Sequence, residues 1–208
     1  IPVVSIVSSP RLAMVAEKYG AAAVVVEGTE AGGHLGTDRP LFEILPSIRE
    51  AVKIPVLAAG GIVNGEGIAR ALKMGANGIQ MATRFVLSKE CNVSELFKKM
   101  YLKAGPEDVT IIPSPVGMPG RALKNSFVDR LLSGDAPRPD SCEGCLKQCS
   151  GQYCIMDALE NSRTGKVDEG VVLVGQNVHQ IKEILSVKDI FNNLLYELKQ
   201  CLGTTRVG

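Results

Sequence analysis

The chain has 208 residues, within the range of one large domain, and carries 23 Lys+Arg against 22 Asp+Glu for a net charge of +1. So even a balance offers no footing for a nucleic-acid or acidic-membrane partner. No apolar run reaches the roughly 18 residues of a membrane-spanning helix and no signal peptide is visible, which reads as a cytoplasmic protein whose six cysteines need a separate explanation.

The opening Ile1-Pro2-Val3-Val4-Ser5-Ile6-Val7 already has the character of a buried strand and does not begin with methionine, as expected of an N-terminally truncated or processed product. A first strand over Val3 to Val7 leads into an amphipathic helix from Pro10 to Tyr19, stopped at Gly20. The second strand, Ala23 to Glu27, is followed by a glycine loop and a helix from Leu41 to Val52. A third strand, Pro55 to Ala59, passes through Gly60-Gly61 into a helix from Gly65 to Met74, and a fourth, Gly78 to Met81, precedes a helix from Val93 to Lys103.

Short apolar strands alternating with helices predict a parallel sheet covered on both faces. Four βα units make half of a (β/α)8 barrel, whose full length is typically about 250 residues. The predicted fold is therefore α/β: residues 1–104 form the second half of a TIM barrel, and 105–208 form a mainly helical extension. A small flavodoxin-like sheet is the alternative. From Gly105 the turn-rich Gly105-Pro106, Pro113-Ser114-Pro115 and Met118-Pro119-Gly120 predict a long irregular loop. Helices are then expected over Arg121–Leu132, Tyr153–Asn161 and Val187 to about Cys201, with a short apolar run at Val171–Val174.

Two patterns carry chemistry in the first half. Ala58-Ala59-Gly60-Gly61-Ile62 and Gln80-Met81-Ala82-Thr83-Arg84-Phe85 end successive strands. Glycines there let the backbone approach an anion, and the turn amides can bind it, so the pair reads as a phosphate clamp for a nucleotide-type cofactor. The bland alternative is two ordinary glycine turns. The second pattern is Glu30-Ala31-Gly32-Gly33-His34, where one of only two histidines follows a buried strand inside a glycine-rich loop. Such a histidine can take a proton from a carbon acid or return one to a developing anion. His179, in a polar turn after Gln176-Asn177, reads as structural or surface.

Taken together, Glu27-Gly28-Thr29-Glu30-Ala31-Gly32-Gly33-His34, the Gly60-Gly61 turn and Gln80 to Phe85 resemble the nitronate monooxygenase family, once called 2-nitropropane dioxygenases, over Ile1 to about Arg130. That family also includes flavin-dependent enoyl-acyl-carrier-protein reductases. The resemblance implies an FMN-binding barrel of which this chain holds the last four βα units. It assigns His34 as catalytic base or proton donor, Glu27 and Gly32 as cofactor contacts, and Gly60, Gly61, Gln80, Met81, Ala82 and Thr83 as the phosphate site. Ala82 stands where the family usually has glycine. The implied substrate is a nitronate or nitroalkane oxidised with oxygen, or alternatively an acyl thioester. The implied partner is a missing N-terminal half or a second copy.

The extension holds Cys142-x2-Cys145-x3-Cys149-x4-Cys154, four thiols within thirteen residues (142 to 154), whereas Cys91 and Cys201 stand alone as buried or incidental thiols. A tight cluster in a cytoplasmic protein favours metal over disulfides. The spacings do not pair into two matching Cys-x2-Cys knuckles, which lowers zinc and leaves it behind both an iron–sulfur cluster and free or redox thiols. The family resemblance points the same way, to a cluster of the 4Fe-4S type like that of some acyl-carrier-protein dehydrogenase/isomerases. Two other readings remain open: a truncated, non-catalytic metal-binding fragment, and a non-flavin phosphate-binding barrel such as a nucleotide dehydrogenase. The last requires a catalytic cysteine after a strand, and none of the six is so placed.

Overall fold

The computed structural model describes residues 1–139, 142 and 144–203. In chain order the elements are β1 (Val4–Val7), α1 (Pro10–Lys18), β2 (Ala23–Glu27), β3 (Gly33–His34), α2 (Leu41–Ala51), β4 (Val56–Ala59), α3 (Gly65–Lys73), β5 (Gly78–Gln80), α4 (Thr83–Val86), α5 (Glu95–Lys103), β6 (Val109–Ile112), β7 (Gly120–Leu123), α6 (Ser126–Leu132), α7 (Ile155–Thr164) and α8 (Val187–Leu202). They group into two compact units. One comprises residues 1–31, 36–90 and 184–208, and the other 32–35 and 91–183.

The first unit is built on a parallel sheet in the order β1-β2-β4-β5. Its strands follow one another across the sheet without the reversal that a flavodoxin-like arrangement requires, so that alternative is set aside. Ala23 to Val26 are all buried, as expected of a strand covered on both faces. The helix α2 seals one face with Leu41, Ile44, Leu45 and Ile48, spaced three and four residues apart along one stripe. These residues pack with Val7, Val24, Val26, Val56 and Ala58 in a single core. At the β1 edge, Val3 and Ile6 together with Leu12 and Val15 on α1 stay exposed around an apolar groove of about 360 Å³.

The grouping differs from a single cut at residue 104, because α8 returns to the first unit. The Gly65 amide at the start of α3 donates to Glu197 Oε2 at 2.6 Å, and Lys73 Nζ donates to the Cys201 carbonyl at 3.2 Å. Phe85 and Phe191 stack with ring centroids 5.4 Å apart.

The second unit corrects the expected irregular loop. Val109–Ile112 and Gly120–Leu123 pair antiparallel, and β3 joins them in the order β3-β7-β6. Arg121 to Leu123, expected as the first turn of a helix, belong to the strand. The helix starts only at Ser126, where Asn125 accepts the Val128 amide at 2.8 Å as N-cap. Ile112, Ala122, Phe127, Val128, Leu131, Tyr153, Ile155 and Val171 form this unit's core. The apolar run at Val171–Val174 supplies a bridge from Leu173 to Ala122 rather than a helix or long strand.

The contact of α3 with α8 is tight enough to test. A Cβ built on Gly65 lies 2.5 Å from the Leu198 amide nitrogen, whereas one on Gly78 meets nothing nearer than the Leu57 side chain at 3.7 Å. Gly65→Ala is expected to lower stability by about 1–3 kcal/mol despite alanine's better helix propensity. Gly78→Ala should stay near neutral. Urea unfolding midpoints of the two variants check the difference.

Candidate functional site

The residues between β2 and α2 are held by backbone contacts that exclude side chains. A Cβ on Gly28 would fall 2.5 Å from both Cα and Cβ of Leu41, so only glycine lets the loop lie against the start of α2. Pro40 at the N-cap of α2 has no side chain able to cap the helix. Glu30 performs that task from eleven residues upstream, its Oε2 accepting the Leu41 amide at 2.9 Å, while the Thr29 amide donates to the Arg39 carbonyl at 2.8 Å. The acidic residue of the Glu-Ala-Gly-Gly-His element is thus a helix cap, favourably placed against the N-terminal end of the helix dipole. Glu27, at the end of β2, is half-buried, and burial pushes its carboxyl pKa up.

The two candidate phosphate turns lie on neighbouring strands, since Ala59 on β4 pairs with Gln80 on β5. Gly60 and Gly61 have φ of +101° and +70°, a backbone direction that L side chains rarely adopt. A Cβ at Gly60 would also close to 3.2 Å on the Ala31 amide. Gln80 and Ala82 are exposed and Met81 and Thr83 half-buried, so this second turn faces outward beside the first. At the start of α3 two amides are already committed: the Gly65 amide is taken by Glu197, and the Gly67 amide by Asn64 Oδ1 at 2.9 Å. A glycine-permitted turn after β4 beside the turn at Gln80–Thr83 after β5, at adjacent parallel strand ends, fits the phosphate end of a flavin nucleotide.

His34 belongs to the second unit, where β3 pairs Gly33 with Arg121 and His34 with Gly120. The Leu35 amide donates to the Pro119 carbonyl at 2.8 Å. A Cβ on Gly32 would lie 2.7 Å from the Gly175 amide nitrogen, so this glycine too is required by close backbone packing. The His34 ring is half-buried and its Nε2 lies 2.7 Å from Ser114 Oγ. Desolvation lowers the imidazole pKa, which keeps the ring neutral and able to accept a proton near neutral pH. Ser114 also lines a cavity of about 430 Å³ with Ile111, Ile112, Pro113, Gly117, Met118 and Pro119, whose walls are mostly apolar.

Ser114 was absent from the residues expected at the site. Its one signal in the sequence is the pair of prolines that flank it, and its partner lies 80 residues away. His179 sits in a short turn at Val178–Gln180, with Nδ1 buried and without a hydrogen-bond partner.

The expected metal site does not form. Among the described residues no three His, Cys, Asp or Glu side chains come together as metal ligands would. Cys142, Cys145 and Cys149 are exposed on the loop, and half-buried Cys154 occupies the N-cap of α7. Of the two lone cysteines, Cys91 is half-buried and Cys201 exposed.

Two predictions follow from these placements. Glu30→Ala removes the cap of α2 and should cost about 1 kcal/mol of stability, with Glu30→Gln, which keeps an acceptor oxygen, losing less in urea unfolding. In a timed thiol titration, Cys142, Cys145, Cys149 and Cys201 are expected to react first, and Cys91 and Cys154 more slowly; mass mapping of the labelled sites checks the order.

Comparison with known proteins places these elements in context. The chain is 45% identical over 113 residues to (3aS,4S,5R,7aS)-5-hydroxy-7a-methyl-1-oxo-octahydro-1H-indene-4-carboxyl-CoA dehydrogenase of Rhodococcus jostii, a match covering 54% of this chain and 32% of that enzyme. It is 35% identical over 133 residues to a probable nitronate monooxygenase of Staphylococcus aureus, covering 60% of this chain and 38% of the relative. Among solved structures, FabK from Thermotoga maritima superposes with a TM-score of 0.84 at 33% identity, over 97% of this chain and 62% of FabK. Nitroalkane oxidase from Streptomyces ansochromogenes gives 0.78 at 27% identity, over 97% and 58%. The chain therefore spans only part of the length of each of these relatives. The structural likeness bears out the α/β reading, with the parallel sheet as part of a TIM-barrel fold. The nitronate monooxygenase family profile matches residues 1–197, and the chain belongs to that family.

Proposed function

We propose that this chain is the phosphate-binding and proton-handling part of an FMN-dependent oxidoreductase that oxidises nitroalkanes or nitronates with oxygen. The observation that carries the reading is His34, a half-buried imidazole kept neutral by desolvation and held through Nε2 by Ser114. A neutral, anchored imidazole suits removal of a proton from a carbon made acidic by a neighbouring nitro group. FMN, when bound, supplies the electron acceptor that histidine and hydroxyl chemistry lacks. Gly60, Gly61, Gln80, Met81, Ala82 and Thr83 would hold its phosphate, and Glu27 and Gly32 would lie along the cofactor. The apolar walls of the cavity at Ser114 suit a small alkyl substrate.

A second reading has its own support. The 45% identity to a carboxyl-CoA dehydrogenase and the likeness to FabK favour an acyl thioester, whose α-carbon is also a carbon acid. His34 would exchange a proton at that α-carbon with the same geometry.

The test begins with absorption spectra of the purified protein before and after addition of FMN, followed by turnover assays. Oxygen uptake on a nitronate supports the first reading, and NAD(P)H oxidation on an enoyl thioester the second; failure to retain FMN removes catalysis by this chain alone. His34→Ala is expected to keep the flavin and lose turnover by about 100-fold or more. Because catalysis needs the unprotonated ring, kcat/KM should rise with pH through one limb with an apparent pKa below about 6.5 and then level off. A limb above that value counts against His34 as the base.

A further inference from the structure

The sheet of the first unit has two open edges. Among the described residues, β1 pairs with β2 alone and β5 with β4 alone, and all four strands run parallel. Edge strands are commonly blunted by charged side chains, and β1 carries none over Val4–Val7. Its exposed Val4 and Ile6 share the face opposite Val7, which packs in the helix-covered core. An eight-stranded parallel barrel fills that inner face with branched side chains from neighbouring strands.

The helices at the two edges repeat the pattern. On α1, Ala13 is fully buried, whereas Leu12, Val15 and Tyr19, spaced by three and four residues, form an exposed stripe. The stripe borders the groove of about 360 Å³, which no charged side chain lines. At the β5 edge, α8 bonds the start of α3 through Glu197, and Phe191 stacks on Phe85 of α4, the helix that follows β5. Ile190 and Leu194 on α8 are buried, whereas Phe191, Leu195 and Leu202, spaced by four and seven residues, form a second exposed apolar stripe.

We propose that two copies of this chain close on each other through these edges, β1 of each pairing in parallel with β5 of the other. The twofold axis then runs along the strands, so strand direction is kept and four strands from each copy complete a ring of eight. The occupant of the β1 edge must bring a strand running the same way and an apolar helix on the same outer face. A second copy brings both: its β5 meets β1, its α8 stripe meets the α1 stripe, and the reverse contact forms across the ring. Antiparallel pairing of β1 with its own copy covers one edge and leaves β5 and the α8 stripe open. The exposed apolar side chains of the two edges present roughly 900 Å² per copy, against about 800 Å² per partner in a stable interface. A net charge of +1 leaves little repulsion between copies. Closure also sets the turn after β5 of one copy beside the C-terminal end of β1 of the other. The pairing is a property of the first unit and holds whichever substrate the protein takes.

Sedimentation equilibrium of the full chain at micromolar concentrations is expected to give twice the chain mass and no larger species. Val15→Lys and Leu195→Glu, both at exposed positions, should each weaken dimerisation about 100-fold or more while the far-ultraviolet circular dichroism stays that of the wild type. Mixed in equal amounts, the two variants should form a dimer again, because one of its two contacts is then unaltered and the other sets Lys against Glu. A monomer at every concentration overturns the proposal and leaves a separate polypeptide with its own βα units as the occupant. Sensitivity to Val15→Lys without sensitivity to Leu195→Glu, or no recovery in the mixture, confines the contact to one edge and overturns it as well. Species larger than a dimer do the same, since open edges then join copies in a chain rather than a ring.

Discussion

Backbone meeting backbone at distances that no Cβ permits is the constraint on which the candidate site depends. At Gly28 the loop after β2 lies against Leu41, and at Gly32 it lies against Val174 and Gly175. Glycine is thus required at both ends of the five residues that precede Gly33 and His34. The cost is paid in chain entropy, because glycine loses more conformational freedom on folding than any other residue. What offsets it is burial of Leu41, Ile44, Leu45 and Ile48 in the core of the first unit, on a helix whose start Glu30 caps.

That division of labour changes the meaning of the Glu-Ala-Gly-Gly-His element. Glu30, its acidic member, serves the helix; Gly32 serves the packing of the second unit; His34 alone carries an exchangeable proton. Residue types that suggest chemistry in a row are here distributed between support and reaction. The carboxylate that could have acted as a second acid is already committed to an amide. A similar economy holds at α3, where Glu197 fills the helix N-terminus that an anionic ligand could otherwise use and leaves that role to the turns after β4 and β5.

Much of the first unit was legible because its signals are local. Ala23 to Val26 form a continuous apolar run, α2 repeats its apolar residues at helical spacing, and Gly20 marks the end of α1 within a few residues. The second unit was much less so, for the opposite reason. Val109–Ile112 is short, sits among prolines and glycines, and becomes a strand through pairing with Gly120–Leu123 and β3. Arg121, Ala122 and Leu123 have good intrinsic helix propensity, which the sheet overrides. Ser114 was invisible as a site residue because its importance comes wholly from an imidazole 80 positions earlier. At the cysteines, proximity in sequence was read as proximity of ligands; among the described residues no such group comes together, and Cys142, Cys145 and Cys149 are exposed.

The return of α8 bears on how the polypeptide is made. The Gly65 amide bonds a carboxylate 132 residues later, and Gly65 and Leu198 touch so closely that α3 has a surface shaped for one specific helix. As the chain leaves the ribosome, β1 through β5 are available long before that helix exists. Until α8 arrives, α3 presents an unfilled groove and a Gly65 amide without its Glu197 acceptor, an incomplete surface open to wrong contacts. The helix α8 therefore acts as a completion signal for the first unit, whose α3 surface can close only once that helix has been made.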